Sequence, residues 1–316
     1  MKFNEKHTMK FLQFFLAIGA FIIFVIAVFY GYFAITDISI APDESDLAAS
    51  PTTPAGAKPV VYFGVISRFS PNLIYEGYQP IMNYLTQSTP YRFELKLSNS
   101  YEETIHQLVS GQVQAAFLGT YIYLAAREKS PLKCILKPLN NQFEPFFRSV
   151  LVTRSDSPLQ SIKDIKGKRL ALPSPQSFSG NWLFRHEFKK YGLTISDLDS
   201  IHYFDYHHTV IYQVLQGNFD VGVVKDRVAY EFIDKGIRFL ATSEPIPGSP
   251  IVVNAELDAV IAQAIQSAFL KIDIRKTEYQ RIVKDWDPEF AFGFAIARDA
   301  DYDHIEPIIA SMPERP

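Results

Sequence analysis

Two serines follow a short apolar strand at the point where a helix is predicted to begin. The segment from Leu170 to Gly180 has the pattern of a buried strand, a turn rich in Pro and Ser, and the start of an amphipathic helix. The first turn of a helix leaves backbone N–H groups unpaired and carries the positive end of the helix dipole. Ser177 and Ser179 add hydroxyl donors there, and the glycine lets a ligand approach the backbone. Such a turn can bind a small anion without a fixed cation, although a serine that only caps a helix gives the same pattern.

A second junction of this kind lies earlier in the chain. Residues 114–118 have the pattern of a short buried strand, and Gly119, Thr120 and Tyr121 open the helix that follows. Hydroxyl groups again stand where unpaired amides emerge from a helix. The two junctions predict two anion-binding surfaces that face each other across a cleft.

Strands and helices alternate through most of the chain after residue 60. Strands are predicted at residues 60–66, 93–97, 113–118, 149–153, 168–172, 201–204, 219–224 and 238–242, with helical patterns between most of them. This alternation predicts an α/β fold with a mostly parallel sheet covered on both faces. The chain is expected to cross between two lobes near Arg148 and again near Glu244, which predicts a cleft with two hinge crossings.

The N-terminal 37 residues are predicted to be a cytoplasmic end and a transmembrane anchor. Residues 11–35 carry no charged side chain, and a stretch of roughly 25 residues is long enough to span a bilayer. Lysines precede this stretch and acidic residues follow it, so the rest of the chain is expected in the periplasm or otherwise outside. A cleaved signal peptide is the alternative, although its apolar core would be shorter.

The remaining chain divides into a tether and two lobes. Residues 38–59 are rich in Ala, Pro, Ser and Thr, which predicts a flexible tether. The predicted organisation then runs from the first lobe (60–148) to the second lobe (149–243) and back to the first lobe with C-terminal helices (244–316).

The composition excludes several classes of function. The formal net charge is −3, without the basic surface that a nucleic-acid partner requires. Cys134 is the only cysteine, so a disulfide framework or a thiolate metal cluster is not possible. His202, His207 and His208 are the remaining candidates for a metal site, but the last two are sequence neighbours and diverge too far on a helix to bind one ion. We therefore expect no metal and no cofactor.

An enzymatic function is an alternative that the residues also allow. Ser177 or Ser179 together with His207 and Asp226 has the composition of a catalytic triad. The sequence has no nucleophile elbow, phosphate-binding loop or HExxH helix. Because anion binding accounts for hydroxyl groups at a helix start, we expect no catalytic activity.

Five segments, in this order and spacing, resemble those of a known family, and the resemblance covers nearly all of residues 60–274. They are residues 63–66, residues 116–121, residues 173–180, the helix from His207 with residues 216–222 behind it, and residues 245–252. The chain is similar in these segments to the periplasmic substrate-binding proteins of phosphate, phosphite and phosphonate ABC transporters. This resemblance implies the type II periplasmic-binding-protein fold and a phosphorus oxyanion bound between its two lobes.

The resemblance also implies which residues contact the ligand. Thr120 and Tyr121 are expected to bind from the first lobe. The second lobe is expected to contribute Ser177, Ser179, the backbone N–H of Phe178, and His207, whose charge can change near neutral pH. Asp226 lies near an acidic position that pairs with an aminoalkyl group in some members, and Tyr75 and Tyr78 are expected to wall the cleft.

The implied function is delivery of the oxyanion to an ABC permease when the lobes close. Two alternatives remain open at this point. A binding domain held at the membrane can report its ligand to a separate membrane partner, and the cleft can accept a different organic anion.

Overall fold

The computed structural model of the chain describes residues 19–21, 23–25, 27, 58–182 and 187–307. The chain forms two units, Met1–Ala57 and Lys58–Pro316. In the first unit, the described residues 19–21, 23–25 and 27 are helical. Most of the predicted anchor (11–35) and nearly all of the predicted tether (38–59) lie outside the described residues. Within the described part of the chain, no helix is both long enough and apolar enough to cross a membrane.

The second unit alternates strands and helices, as the sequence pattern predicted. Its strands are β1 (Val60–Val65), β2 (Arg92–Lys96), β3 (Ala115–Phe117), β4 (Leu132–Pro138), β5 (Phe146–Phe147), β6 (Ser149–Arg154), β7 (Arg169–Leu172), β8 (Ser200–Tyr203), β9 (Val221–Lys225), β10 (Ile237–Thr242), β11 (Ile246–Pro247), β12 (Ile251–Asn254) and β13 (Phe294–Ile296). Its α-helices are α1 (Pro71–Ser88), α2 (Tyr101–Val109), α3 (Thr120–Arg127), α4 (Phe178–Trp182), α5 (Phe188–Lys190), α6 (His207–Leu215), α7 (Asp226–Tyr230), α8 (Ala259–Phe269) and α9 (Thr277–Ile282). Short 3-10 helices cover Ile162–Ile165, Ile195–Asp197, Ile233–Lys235, Val283–Asp285, Pro288–Phe290 and Asp299–Ile305.

The first sheet has six strands in the order β13-β4-β12-β3-β1-β2. Strand β1 is parallel to both β2 and β3. The side chains of Phe63 and Phe117 enter the apolar cluster on one face of this sheet, and those of Ala116 and Leu118 enter the cluster on the other face. Because both faces are buried, strand β3 is continuously apolar rather than alternating. We call this sheet and its helices the first lobe.

The second sheet has five strands in the order β10-β6-β9-β7-β8, and separate apolar clusters cover its two faces. Strand β7 is parallel to β8 and β9, whereas β6 is antiparallel to β9 and β10. At Gly222 in β9, an added Cβ would lie 2.7 Å from Val210 and 2.9 Å from Val214 of helix α6. The missing side chain therefore lets α6 pack closely on the sheet. We call this sheet and its helices the second lobe.

Both sheets are mixed, which differs from the mostly parallel arrangement that was predicted. The antiparallel strands β6 and β12 each follow a strand of the two-stranded ribbon that β5 and β11 form, with Phe147 paired to Ile246. A strand that arrives from the other lobe enters its sheet from the carboxyl ends of the parallel strands and runs opposite to them. The ribbon lies beside the two predicted crossing points, while the predicted limits of the lobes remain predictions.

Candidate anion-binding site

A small cavity lies where the carboxyl ends of several parallel strands face each other. Its volume is about 50 Å³, and this edge of an open α/β sheet is where ligands commonly bind. The first lobe lines it with Ile66, Arg68, Phe69, Tyr101, Gly119, Thr120 and Ser249; the second lobe lines it with Gln176, Ser177, Phe178, Ser179, His207, Lys225, Arg227 and Val228; and Phe147 of the ribbon completes it. Both hydroxyl-bearing junctions predicted from the sequence therefore contribute to one cavity.

The serine turn is held by its own hydrogen bonds. The hydroxyl oxygens of Ser177 and Ser179 lie 2.9 Å apart, and the buried Ser149 hydroxyl donates to the Ser179 carbonyl over 2.7 Å. The nearby Gly180 has a different role from the one expected. A Cβ at this position would lie 3.0 Å from the ring of Pro173, so the glycine allows the helix to pack on the preceding strand end, and it does not line the cavity.

His207 begins helix α6 and holds a defined tautomer. Its Nδ1 accepts a hydrogen bond from the backbone N–H of Lys225 over 3.3 Å, so the proton of the neutral ring is on Nε2. That nitrogen lies 3.2 Å from the Ser177 hydroxyl and donates to it. Burial, reinforced by the positive charges of Lys225 and Arg68, lowers the pKa of His207 to about 3. The ring is therefore neutral near pH 7, which corrects the expectation that its charge changes there.

The first-lobe junction supplies the start of helix α3. Thr120 is only 1% exposed, and its hydroxyl donates to the carbonyl of Pro247 over 3.1 Å. The helix begins after Gly119 without a side-chain cap among the described residues. Its first amides are therefore available to an acceptor in the cavity, because the first N–H groups of a helix have no partner within it.

Arg68 anchors a buried charge network beside the cavity. Its guanidinium forms ion pairs with Glu289 and, over 3.1 Å, with Asp287, and it donates to the Tyr78 hydroxyl over 2.7 Å. Burial alone would lower the pKa of Arg68, but the two carboxylates outweigh it and raise the pKa well above its ordinary value. The arginine is therefore charged and held in place by partners of its own lobe.

Lys225 extends this network from the second lobe. Its ammonium group pairs with Glu289, lies 3.4 Å from the Ser249 hydroxyl, and sits 4.4 Å from the ring centre of Phe147. Burial lowers the pKa of Lys225. Burial would raise the pKa of Glu289, but the positive charges of Arg68, Lys225 and Arg227 lower it overall. The carboxylate is therefore ionised and joins a cation of each lobe.

Four predicted site residues do not line the cavity. Tyr121 packs against the apolar cluster of the first lobe, and Tyr75 is 53% exposed on α1. Tyr78 is fully buried in the core, where its hydroxyl accepts from Arg68. Asp226 accepts hydrogen bonds from the backbone N–H groups of Arg148 and Arg227 with its two carboxylate oxygens, and burial raises its pKa. Both oxygens of its carboxylate therefore already accept hydrogen bonds from the backbone.

The cationic side chains of the cavity were missed from the sequence. Arg68 follows strand β1, and Lys225 and Arg227 stand where β9 meets α7, so they occupy the same kind of strand-to-helix junction as the serines. Their position after a strand could have identified these cations as site residues, but only hydroxyl-bearing residues were considered at such junctions. The site thus differs from the predicted anion site without fixed cations. In the described residues, His, Cys, Asp and Glu side chains form no cluster suited to a metal ion.

Comparison with known protein families shows to which of them this chain belongs. The family model for the periplasmic substrate-binding protein of phosphonate ABC transporters matches residues 63–302. The chain belongs to this family. The resemblance stated from the sequence is thereby confirmed, and the family is one of transport binding proteins rather than enzymes.

Individual relatives agree with this assignment. The chain is 23% identical over 278 residues to the phosphate-import protein PhnD of Mycolicibacterium smegmatis, covering 80% of this chain and 86% of that protein. PhnD1 of Prochlorococcus marinus, solved with methylphosphonate, is 17% identical with a TM-score of 0.68, covering 79% of this chain and 97% of that one. The binding component of a phosphonate transporter of Pseudomonas aeruginosa is 19% identical with a TM-score of 0.66, covering 77% and 83%. At these identities, the two solved structures support the periplasmic-binding-protein-like α/β fold.

Proposed function

We propose that this chain binds a phosphorus oxyanion (phosphate, phosphite or a phosphonate) between its lobes and delivers it to an ABC permease. The observation that carries the proposal is the set of donors around one small cavity. The neutral His207 ring donates to Ser177, which lies beside Ser179, and the uncapped start of α3 faces them from the first lobe. Burying an oxyanion is tolerated only where many donors converge on it, and this cavity provides them from both lobes.

Contacts across the cavity support closure of the lobes as the event that a permease reads. Gln176 of the second lobe donates to Glu102 of the first, and the rings of Phe69 and His208 are 5.3 Å apart. These contacts and the Lys225–Glu289 pair join the lobes around the cavity. A ligand that contacts both lobes stabilises the closed arrangement by its differential affinity for it.

We also propose that the N-terminal helix holds the domain at the outer face of the cytoplasmic membrane. The charge-free stretch of residues 11–35 supports this, and Phe21, Ile23 and Phe24 are 64–69% exposed in the helical residues of that stretch. Deleting residues 2–37 is expected to move the chain from the membrane fraction to the soluble fraction. Retention of the deleted chain at the membrane would contradict the anchor.

The binding proposal is tested by calorimetry and thermal unfolding of the full-length chain in mild detergent. The ligands are phosphate, phosphite, methylphosphonate, 2-aminoethylphosphonate and sulfate. A ligand present at about 1,000 times its dissociation constant stabilises the folded chain by about 4 kcal/mol. Ser179→Ala is expected to weaken that effect, whereas Ser155→Ala, an exposed serine of the second lobe, is expected to preserve it. Failure of all four phosphorus compounds to bind would refute the proposal and favour a different organic anion.

A further inference from the structure

Arg227 lines the cavity with a guanidinium group that lacks full hydrogen bonding. Its Nε and Nη2 are buried and have no hydrogen-bond partner among the described residues. The nearest carboxylates lie at 3.6 Å from Nη1 (Glu231) and 3.9 Å from Nε (Glu289), beyond the usual range of a hydrogen bond. Buried donors are rarely left unpaired, because they have lost their hydration without compensation. An acceptor within the cavity would satisfy them.

The other two cations of the cavity already have buried carboxylate partners, although Nε of Arg68 also lacks a hydrogen-bond partner among the described residues. Arg68 pairs with Asp287 and Glu289, and Lys225 pairs with the second oxygen of Glu289. Two buried carboxylates thus balance two cations, and the charge of Arg227 remains. Its partner Glu231 is 39% exposed and also contacts His208 over 3.1 Å, so solvent screens that pair.

The cavity offers no equivalent partner for a cationic substituent. None of the described residues that line it is a carboxylate. The oxygens of Asp226, the residue expected to pair with an aminoalkyl group, accept from the backbone N–H groups of Arg148 and Arg227. An ammonium group in the cavity would therefore lose hydration, face three cations and find no counter-ion.

The size of the cavity also favours a compact anion over one with an ammonium-bearing arm. A volume of about 50 Å³ suits a compact oxyanion better than one with an extended arm. Apolar side chains cover part of its wall, among them Ile66, Phe69, Phe147 and Val228. A hydrogen atom or a methyl group on phosphorus can pack there without losing a hydrogen bond.

We infer that Arg227 contacts the bound oxyanion and makes this site select compact anions such as phosphite, methylphosphonate or phosphate against zwitterionic aminoalkylphosphonates. The inference rests on the proposed function, because it assumes that the cavity holds a phosphorus oxyanion. It adds the residue that sets the charge preference and the ligand class that this preference excludes.

The test compares methylphosphonate with 2-aminoethylphosphonate by titration calorimetry on the full-length chain. The wild-type chain is expected to bind methylphosphonate at least about 10-fold more tightly. Arg227→Gln is expected to weaken methylphosphonate about 10- to 100-fold, the range for hydrogen bonds to charged groups, and to reduce the preference. Arg227→Lys is expected to retain part of the affinity for methylphosphonate and part of the preference for it. Arg154→Gln removes a half-exposed arginine that pairs with Asp156 in the same lobe, and is expected to leave both affinities unchanged.

Thermal unfolding without ligand separates a binding defect from a folding defect. Arg227 lacks full pairing, so Arg227→Gln is expected to keep the wild-type melting temperature. Wild-type affinity for methylphosphonate in Arg227→Gln, or equal binding of the two ligands by the wild-type chain, would overturn the inference and leave the proposed function intact. If the wild-type chain binds no phosphorus oxyanion, the proposed function itself fails and the inference with it.

Discussion

Acidification is expected to destabilise the ligand-free protein through His207. The pKa of this ring is about 3 in the folded chain and about 6.5 in an unfolded one. Between these values the unfolded chain binds the additional proton, so stability is complete above pH 6.5 and falls as the pH is lowered towards 3. From pH 7.5 to pH 5, a single group with these two pKa values loses about 2 kcal/mol of stability.

The variant His207→Asn isolates this contribution. Asparagine can still accept from the backbone N–H of Lys225, as Nδ1 of His207 does, but has no titrating group in this range. We expect the wild-type chain to lose about 2 kcal/mol more than the variant between pH 7.5 and pH 5, or about 4 to 8 °C of melting temperature. His106→Asn replaces an exposed histidine of α2 and is expected to follow the wild-type curve. Parallel curves for wild-type and His207→Asn chains would refute the assigned burial of this ring and its lowered pKa.

The same ring is expected to stay neutral when an oxyanion binds. Its Nε2 already carries the proton that faces Ser177, and its Nδ1 accepts from the backbone N–H of Lys225, so a second proton would break that hydrogen bond. Calorimetry at pH 6 in buffers of different ionisation enthalpy is therefore expected to detect the same proton exchange on ligand binding in the wild-type chain and in His207→Asn. Greater proton uptake by the wild-type chain would contradict the assigned tautomer.

Two substitutions test the structure around the site by thermal unfolding at pH 7.5. Glu289→Gln leaves two buried cations with reduced compensation and is expected to cost about 3–5 kcal/mol of stability. Glu94→Gln, which breaks the exposed pair with Arg92, is expected to cost only about 0.5 kcal/mol. Similar losses of stability in the two variants would contradict the buried network. Gly222→Ala places a methyl group 2.7 Å from Val210. It is expected to displace α6, to cost about 1–3 kcal/mol of stability and to weaken ligand binding. An unchanged melting temperature would show that the helix is not packed as closely as described.

The sequence predicted those parts of the site that depend on local chain geometry. A strand followed by hydroxyl residues and a helix start is a local pattern, and it located Thr120, Ser177 and Ser179 at one cavity. His207 was predicted instead from the resemblance to the family, and it begins a helix after a strand. The parallel strands were also predictable, since each one is followed by its own helix.

The remaining parts depend on contacts between distant segments. Arg68 faces the cavity because Glu289, 221 positions later in the chain, holds it there, and no local pattern records that partner. A charged residue after a strand is usually solvated, so the pattern alone did not distinguish it. The two tyrosines of α1 fail for a related reason. They lie three residues apart, yet the core covers Tyr78 and leaves Tyr75 exposed.

On the proposed closure of the lobes, the Lys225–Glu289 pair would favour opening as well as closing. An apolar contact of similar area would favour the closed lobes at all times, whereas two buried ions regain their hydration when they separate. The net contribution of this ion pair to closure is therefore small, and ligand binding can shift the equilibrium between the open and the closed arrangement. On the proposed function, an oxyanion that satisfies Arg227 would add interactions to the closed arrangement, and the same cavity could then bind an anion and release it.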